Sequence, residues 1–210
     1  MAVTSPSLPL STTPPPGSGA VAVGLVSIDA LADLRAATAA AHARLDSRLP
    51  LAQDHAGPAE YAQHVAVIGD WLADIDRLPV PVWPAGWAAA QHARHARIAA
   101  DRADFGLSEL HAPAELPDGP VTASFAWGVA YVVEGSQLGG QMLWRRLRAP
   151  LAPHALHYLQ GDGVGGGWPR FTAALRAAIS QPCDLDAARS GAQWAFAVLA
   201  ARFERAGALA

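Results

Sequence analysis

Apolar residues recur at three- and four-residue steps over most of the chain, which is the spacing of one face of an α-helix. The first such segment covers residues 27–49, where Leu31, Leu34, Thr38 and Leu45 lie on one stripe. Runs of β-branched and aromatic residues, which mark strands, are almost missing, and aromatic residues make up only 7% of the chain. The pattern therefore predicts an all-α protein.

Glycine and proline divide the chain into seven predicted helices. Gly57 and Pro58 open the second, because proline is tolerated in the first turn of a helix, and Asp184 is the expected N-cap of the last. The predicted helices cover residues 27–49, 57–78, 87–103, 121–147, 153–160, 169–180 and 184–206. Because 210 residues suffice for one well-buried core, we expect a single-domain helical bundle over residues 27–210.

The first 26 residues differ in composition from the rest. They are rich in proline, serine and threonine, with Pro14, Pro15 and Pro16 in a row. This composition is typical of a flexible tail, and it lacks the basic start and unbroken apolar stretch of a secretory signal. The only cysteine, Cys183, cannot form an internal disulfide, which suits a reducing compartment. We therefore expect a flexible tail, residues 1–26, on a cytoplasmic protein.

The charge of the chain excludes two classes of partner. A formal net charge of -3 gives no electrostatic reason to bind nucleic acid or an anionic membrane surface. No apolar run approaches the roughly 20 residues that are needed to span a bilayer. We expect neither nucleic acid nor a membrane as a partner.

The longest predicted helix, residues 121–147, contains Gly128, Gly135, Gly139 and Gly140. Each interior glycine costs up to about 1 kcal/mol relative to alanine, so four of them call for a reason. Without Cβ atoms, a helix backbone can bend and can approach a flat ligand such as a porphyrin closely. Close packing against another helix would also explain the glycines, and this segment alone leaves both explanations open.

His42 lies at the edge of the apolar stripe on the first helix. Neutral imidazole is a common axial ligand of heme iron. A buried, hydrogen-bonded histidine is the commoner reason for such a position. Taken by itself, His42 therefore leaves both interpretations open.

The first helix also resembles the proximal helix of heme oxygenases. Leu34, Arg35, Thr38 and His42 follow that family's pattern Leu-Arg-x-x-Thr-x-x-x-His. The resemblance implies that heme binds against this helix with His42 as the axial ligand of its iron. It also implies that Arg35 and Thr38 contribute to heme binding.

The glycine-rich helix resembles the distal helix of the same family, in the version Tyr-Val-x-Glu-Gly-Ser-x-Leu-Gly-Gly of bacteriophytochrome-associated members. The resemblance implies that the backbone around Gly135, Gly139 and Gly140 lies against the porphyrin and crowds the oxygen site, with Tyr131 in the heme pocket. Many heme oxygenases carry an aspartate where this chain has Ser136, and that aspartate orders the water for proton delivery. Serine can hold a water molecule but carries no charge, so the proton route stays open.

Two later segments extend the resemblance almost to the end of the chain. A glycine-rich turn at residues 163–167 precedes Trp168 and Phe171, and the last helix carries Phe196, an implied contact with the edge of the ring. Heme propionates need cations at the mouth of their pocket, and the family supplies them near the first helix and near Phe171. The corresponding residues are Arg35, Arg170 and Arg176.

The resemblance implies a heme oxygenase fold and an enzyme that cleaves heme to biliverdin, carbon monoxide and ferrous iron. Heme would be both substrate and cofactor, and an electron donor such as a ferredoxin or a reductase would be a partner. Chromophore supply to a bacteriophytochrome is the first expectation for its purpose, and iron acquisition is the second. Two alternatives stay open: a protein that binds heme or biliverdin without turnover, which Ser136 would suit, and a structural domain that would not need His42.

Overall fold

The computed structural model describes residues 28–107, 112–161 and 167–207, and these residues form seven α-helices. They are α1 (Ala30–Arg48), α2 (Pro58–Asp76), α3 (Trp87–Asp104), α4 (Ala123–Leu147), α5 (His157–Gln160), α6 (Gly167–Ala178) and α7 (Pro182–Arg205). A short 3-10 turn, Pro50–Ala52, follows α1. The described residues contain no strand, so the predicted all-α class is confirmed.

Helix α7 is the centre of the bundle, because α1, α2 and α4 all pack against it. The approach of α4 to α7 is so close that glycine is required on both helices. A Cβ on Gly128 would lie 2.7 Å from the carbonyl carbon of Ala188 and 2.8 Å from the nitrogen of Ala192. A Cβ on Gly191 would lie 2.9 Å from the carbonyl carbon of Phe125. Helix packing therefore explains Gly128, the first of the four glycines in α4.

Buried polar groups fix α2 against α7. Arg202 Nε and Nη2 each lie 2.8 Å from a carboxylate oxygen of Asp74, and the two side chains are only 4% and 2% exposed. Trp71 Nε1 donates a hydrogen bond of 3.0 Å to the carbonyl oxygen of Ala195. Because an unpaired charge would be costly at this depth, the ion pair favours one register of α2 on α7.

The predicted start of the last helix is wrong. Helix α7 begins at Pro182 with Gln181 as its N-cap, so the predicted cap, Asp184, lies within the first turn. There it accepts a hydrogen bond of 2.8 Å from Ser124 Oγ. Proline at the first helical position has the backbone φ that a helix needs, and this local preference outweighed the capping signal.

The helix predicted over residues 153–160 is also too long, since only α5 forms. Leu156 adopts a left-handed backbone conformation with a φ of 55°, and a right-handed helix cannot continue through such a residue. A carboxylate from α3 accepts the backbone hydrogen bonds that a preceding helical turn would have accepted. Asp101 Oδ1 accepts from the backbone nitrogen of His157 at 2.8 Å, and Oδ2 accepts from that of Tyr158 at 2.7 Å.

None of the described helices is long and apolar enough to span a membrane. The predicted tail, residues 1–26, and the turn at residues 163–166 lie outside the described residues. The boundary between tail and helical domain therefore stays a prediction.

Candidate functional site

A cavity of about 740 Å³ lies between α1 and α4. Helix α7 contributes Phe196, Leu199 and Phe203 to its wall, because α1 and α4 both pack on that helix. The volume is that of a pocket for a drug-sized or larger ligand. The lining is mostly apolar, so the cavity suits a large hydrophobic molecule.

The predicted site residues meet at this cavity, with two exceptions. Those in its wall are Arg35, Thr38, His42, Tyr131, Gly135, Ser136, Gly139, Gly140 and Phe196. Arg170 and Arg176 do not line it. Both are exposed, and Arg176 Nε lies 3.7 Å from Asp29 Oδ1. Their predicted contact with heme propionates stays a prediction.

His42 is held by a carboxylate one turn further along α1. Its Nδ1 lies 2.8 Å from Asp46 Oδ2. Because a carboxylate only accepts hydrogen bonds, Nδ1 carries the proton, and Nε2 of the neutral ring keeps its lone pair for a ligand bond. No role was predicted for Asp46, although a spacing of four residues brings two side chains together on a helix.

Two contacts restrict the motion of the part of α1 that carries His42. The ring of Phe196 meets that of His42 edge to face, with centroids 6.0 Å apart and an interplanar angle of 62°. Thr38 Oγ1 donates a hydrogen bond of 2.7 Å to the carbonyl oxygen of Leu34, within α1. The Thr38 hydroxyl is therefore satisfied inside the helix, and this residue contributes packing to the cavity.

The remaining glycines of α4 differ from Gly128, because they line the cavity and a Cβ on any of them would meet no atom closer than 3.7 Å. A Cβ on Gly139 would meet nothing within 4 Å. A Cβ on Gly135 would come no closer than 3.8 Å to the ring of Trp168, and one on Gly140 would lie 3.7 Å from Leu159. At these glycines no side chain stands between the backbone of α4 and the cavity, so a flat ligand can lie against that backbone.

Ser136 and Tyr158 bring two hydroxyl groups to the same wall. Ser136 Oγ donates a hydrogen bond of 2.7 Å to the carbonyl oxygen of Val133. The Tyr158 hydroxyl accepts one of 2.9 Å from Gln137 Nε2. Burial raises the pKa of Tyr158, so the phenol keeps its proton at neutral pH.

His64 is a second histidine in the cavity wall, and sequence reasoning missed it. It lies on α2 with 8% of its surface exposed, and its Nδ1 has no hydrogen-bond partner. Its ring packs on that of Phe203, with centroids 5.6 Å apart. Burial lowers the pKa of His64 from 6.5 to about 4, so the imidazole is neutral at physiological pH.

We expect His64 to make the folded protein sensitive to acid. Between pH 6.5 and about 4 the unfolded chain binds a proton at this residue and the folded chain does not, so the free energy of unfolding falls by up to about 3 kcal/mol. His64→Gln should remove this part of the loss, and the exposed His92→Gln should not. Urea unfolding at pH 7 and pH 4.5 measures the fall in the free energy of unfolding. An equal fall in wild type and in His64→Gln would contradict the expectation.

A protein named heme oxygenase, from Xanthomonas campestris pv. campestris (strain 8004), is 33% identical to this chain over 154 residues. The match covers 70% of this chain and 90% of that protein. The chain belongs to the heme oxygenase family. It is thus an enzyme of the heme oxygenase type, as its sequence predicted, while its place in the bacteriophytochrome-associated subgroup stays a prediction.

The fold of this heme oxygenase agrees with that assignment. A crystal structure of the heme oxygenase from Neisseria meningitidis, from a study of its NO-bound and CO-bound forms, superposes with a TM-score of 0.65 at 23% identity. The superposition covers 88% of this chain and 94% of that one, so the predicted heme oxygenase fold is confirmed. No family model matches the chain.

Proposed function

We propose that this heme oxygenase binds heme in the cavity between α1 and α4 and cleaves it to biliverdin, carbon monoxide and ferrous iron. His42 is the axial ligand of the iron, and oxygen and reducing equivalents are the co-reactants. The observation that carries the proposal is one cavity that joins the His42–Asp46 pair to the bare glycine backbone of α4. Membership of the family supports the type of reaction.

The residues of the cavity fit a heme. The ring is flat and mostly apolar, as is the lining of the cavity, and the open face of Gly139 leaves room for it against α4. The exposed Arg35 lies in the cavity wall, and its guanidinium would supply a cation of the kind that a heme propionate needs. His42 supplies the nitrogen ligand, and Asp46 holds its ring in one orientation.

Each wall of the cavity then has its own part in the reaction. Bound heme supplies the iron chemistry and is itself the molecule that is cleaved. Asp46 would hold the His42 ring in the orientation of an iron ligand through the hydrogen bond at Nδ1. The backbone at Gly135, Gly139 and Gly140 would lie against the bound ring from the side of α4, and Phe196 would contact its edge.

We further propose that the biliverdin serves as the chromophore of a bacteriophytochrome, in the cytoplasm, with a ferredoxin or a reductase as electron donor. The support is the sequence of α4, where Ser136 stands in place of the aspartate of many heme oxygenases. Iron acquisition is the second purpose. The alternative function is a protein that binds heme or biliverdin without turnover, and the observation in its support is that Ser136 lacks the carboxylate that orders the water in many heme oxygenases.

Hemin addition followed by reduction under air tests the reaction. We expect a Soret band on titration with hemin, then its replacement by biliverdin absorbance when ascorbate or a ferredoxin system is supplied. Catalase is included, because hydrogen peroxide formed from the reductant can also destroy heme, and a chelator of ferrous iron measures the released metal. A Soret band that persists under these conditions would identify a heme carrier. Absence of hemin binding would contradict both functions.

A further inference from the structure

Ser136 has no free proton for a ligand in the cavity. A hydroxyl group carries one hydrogen, and that of Ser136 Oγ goes to the carbonyl oxygen of Val133 at 2.7 Å. Toward the cavity, this oxygen can only accept a hydrogen bond. The residue at the position of the family's aspartate therefore cannot by itself donate to a bound water.

Tyr158 is the neighbouring hydroxyl, and it is buried and rigidly placed. Only 4% of its surface is exposed. Its backbone is fixed by Asp101, a carboxylate with no exposed surface, which accepts from the nitrogens of His157 and Tyr158 at 2.8 and 2.7 Å and from Tyr61 Oη at 2.6 Å. These hydrogen bonds join α5 to α3 and α2, so the backbone that carries the Tyr158 ring is held in a fixed position in the cavity wall.

Gln137 sets the direction of the Tyr158 hydroxyl. Its Nε2 donates to the phenol oxygen at 2.9 Å, which leaves the phenol proton free to point elsewhere. The order of donors therefore runs from Gln137 to Tyr158 and then toward the cavity.

We propose that Tyr158, oriented by Gln137, donates the hydrogen bond that holds the water molecule on the oxygen side of the heme, beside Ser136. The inference rests on the proposed function, because the water matters only if heme occupies the cavity. Tyr158 lines the cavity and touches that water, whereas Gln137 does not line it and acts through Tyr158 as a positioning residue. The phenol stays protonated because burial raises its pKa.

Removal of the Tyr158 hydroxyl tests the proposal with a spectroscopic readout. A hydrogen-bond donor stabilises the deprotonated form of the water beside it. Tyr158→Phe should therefore raise the pH midpoint of the visible spectral change of the ferric heme complex by about half to one unit. Single turnover should slow by about tenfold or more and show a changed solvent isotope effect. Gln137→Ala should shift the midpoint in the same direction by less.

The controls separate this proposal from the heme-binding function and from a folding defect. Gln141→Ala, one turn along α4 and outside the cavity wall, should match wild type in every readout. All variants are first titrated with hemin and checked by circular dichroism; wild-type protein without a Soret band would overturn the proposed function and this inference together. If Tyr158→Phe binds heme fully and keeps the wild-type midpoint and rate, the proposal alone is overturned. It is also overturned if Ser136→Ala shifts the midpoint and neither Tyr158→Phe nor Gln137→Ala does.

Discussion

Replacing His42 with alanine is expected to abolish the axial bond to the iron and to reduce turnover by more than about 100-fold. This loss of activity should exceed the 10- to 100-fold loss that is typical when the hydrogen-bond partner of a metal ligand is removed. The Soret maximum of the hemin complex should shift, and added imidazole should restore both the spectrum and part of the activity. Asp46→Ala keeps the ligand but not its partner at Nδ1, so its effect should be smaller.

The matched control for His42→Ala is His92→Ala, an exposed histidine on α3, which should leave spectrum and rate unchanged. Absorption spectra and single-turnover rates of the four proteins decide the result. An unchanged Soret maximum and rate in His42→Ala would contradict the assignment of His42 as the ligand.

Gly128→Ala should destabilise the folded protein by about 3 kcal/mol or more, although it adds only one methyl group. That methyl would meet the backbone of Ala188 and Ala192 on α7, and a backbone cannot rotate out of the way as a side chain can. Gly139→Ala adds the same group to the same helix where nothing lies within 4 Å. It should stabilise the heme-free protein by up to about 1 kcal/mol through helix propensity.

Urea unfolding of the two heme-free variants beside wild type measures this difference. Opposite signs for Gly128→Ala and Gly139→Ala are the expected result. If the two variants lose stability equally, the division of the α4 glycines into one for packing and others for the cavity is wrong.

The sequence predicts the helices well where their limits depend on local signals. Pro58 opens α2 as expected, and the apolar periodicity locates α1, α3, α4 and α7. The wrong starts of α5 and α7 have tertiary or competing local causes. The start of α5 is capped by Asp101, which is 56 residues away from His157 in the chain, and no local pattern could report that contact.

The candidate site was predictable to the extent that its residues follow a linear motif. His42 and Ser136 were found because they occupy fixed positions in two helical patterns. His64 and Tyr158 were missed because their burial and their place in the cavity depend on how α2 and α5 pack against the rest. The glycines of α4 showed that a close approach was needed, but only the structure assigns α7 as the partner of Gly128.

The position of the iron in a crystal of the hemin complex tests the central claim most directly. An anomalous-difference map recorded at the iron absorption edge locates the metal without reference to the model of the ring. We predict a single peak at bonding distance from His42 Nε2, with the porphyrin between α1 and the glycines of α4. A peak beside His64, or on the surface of the protein, would contradict it.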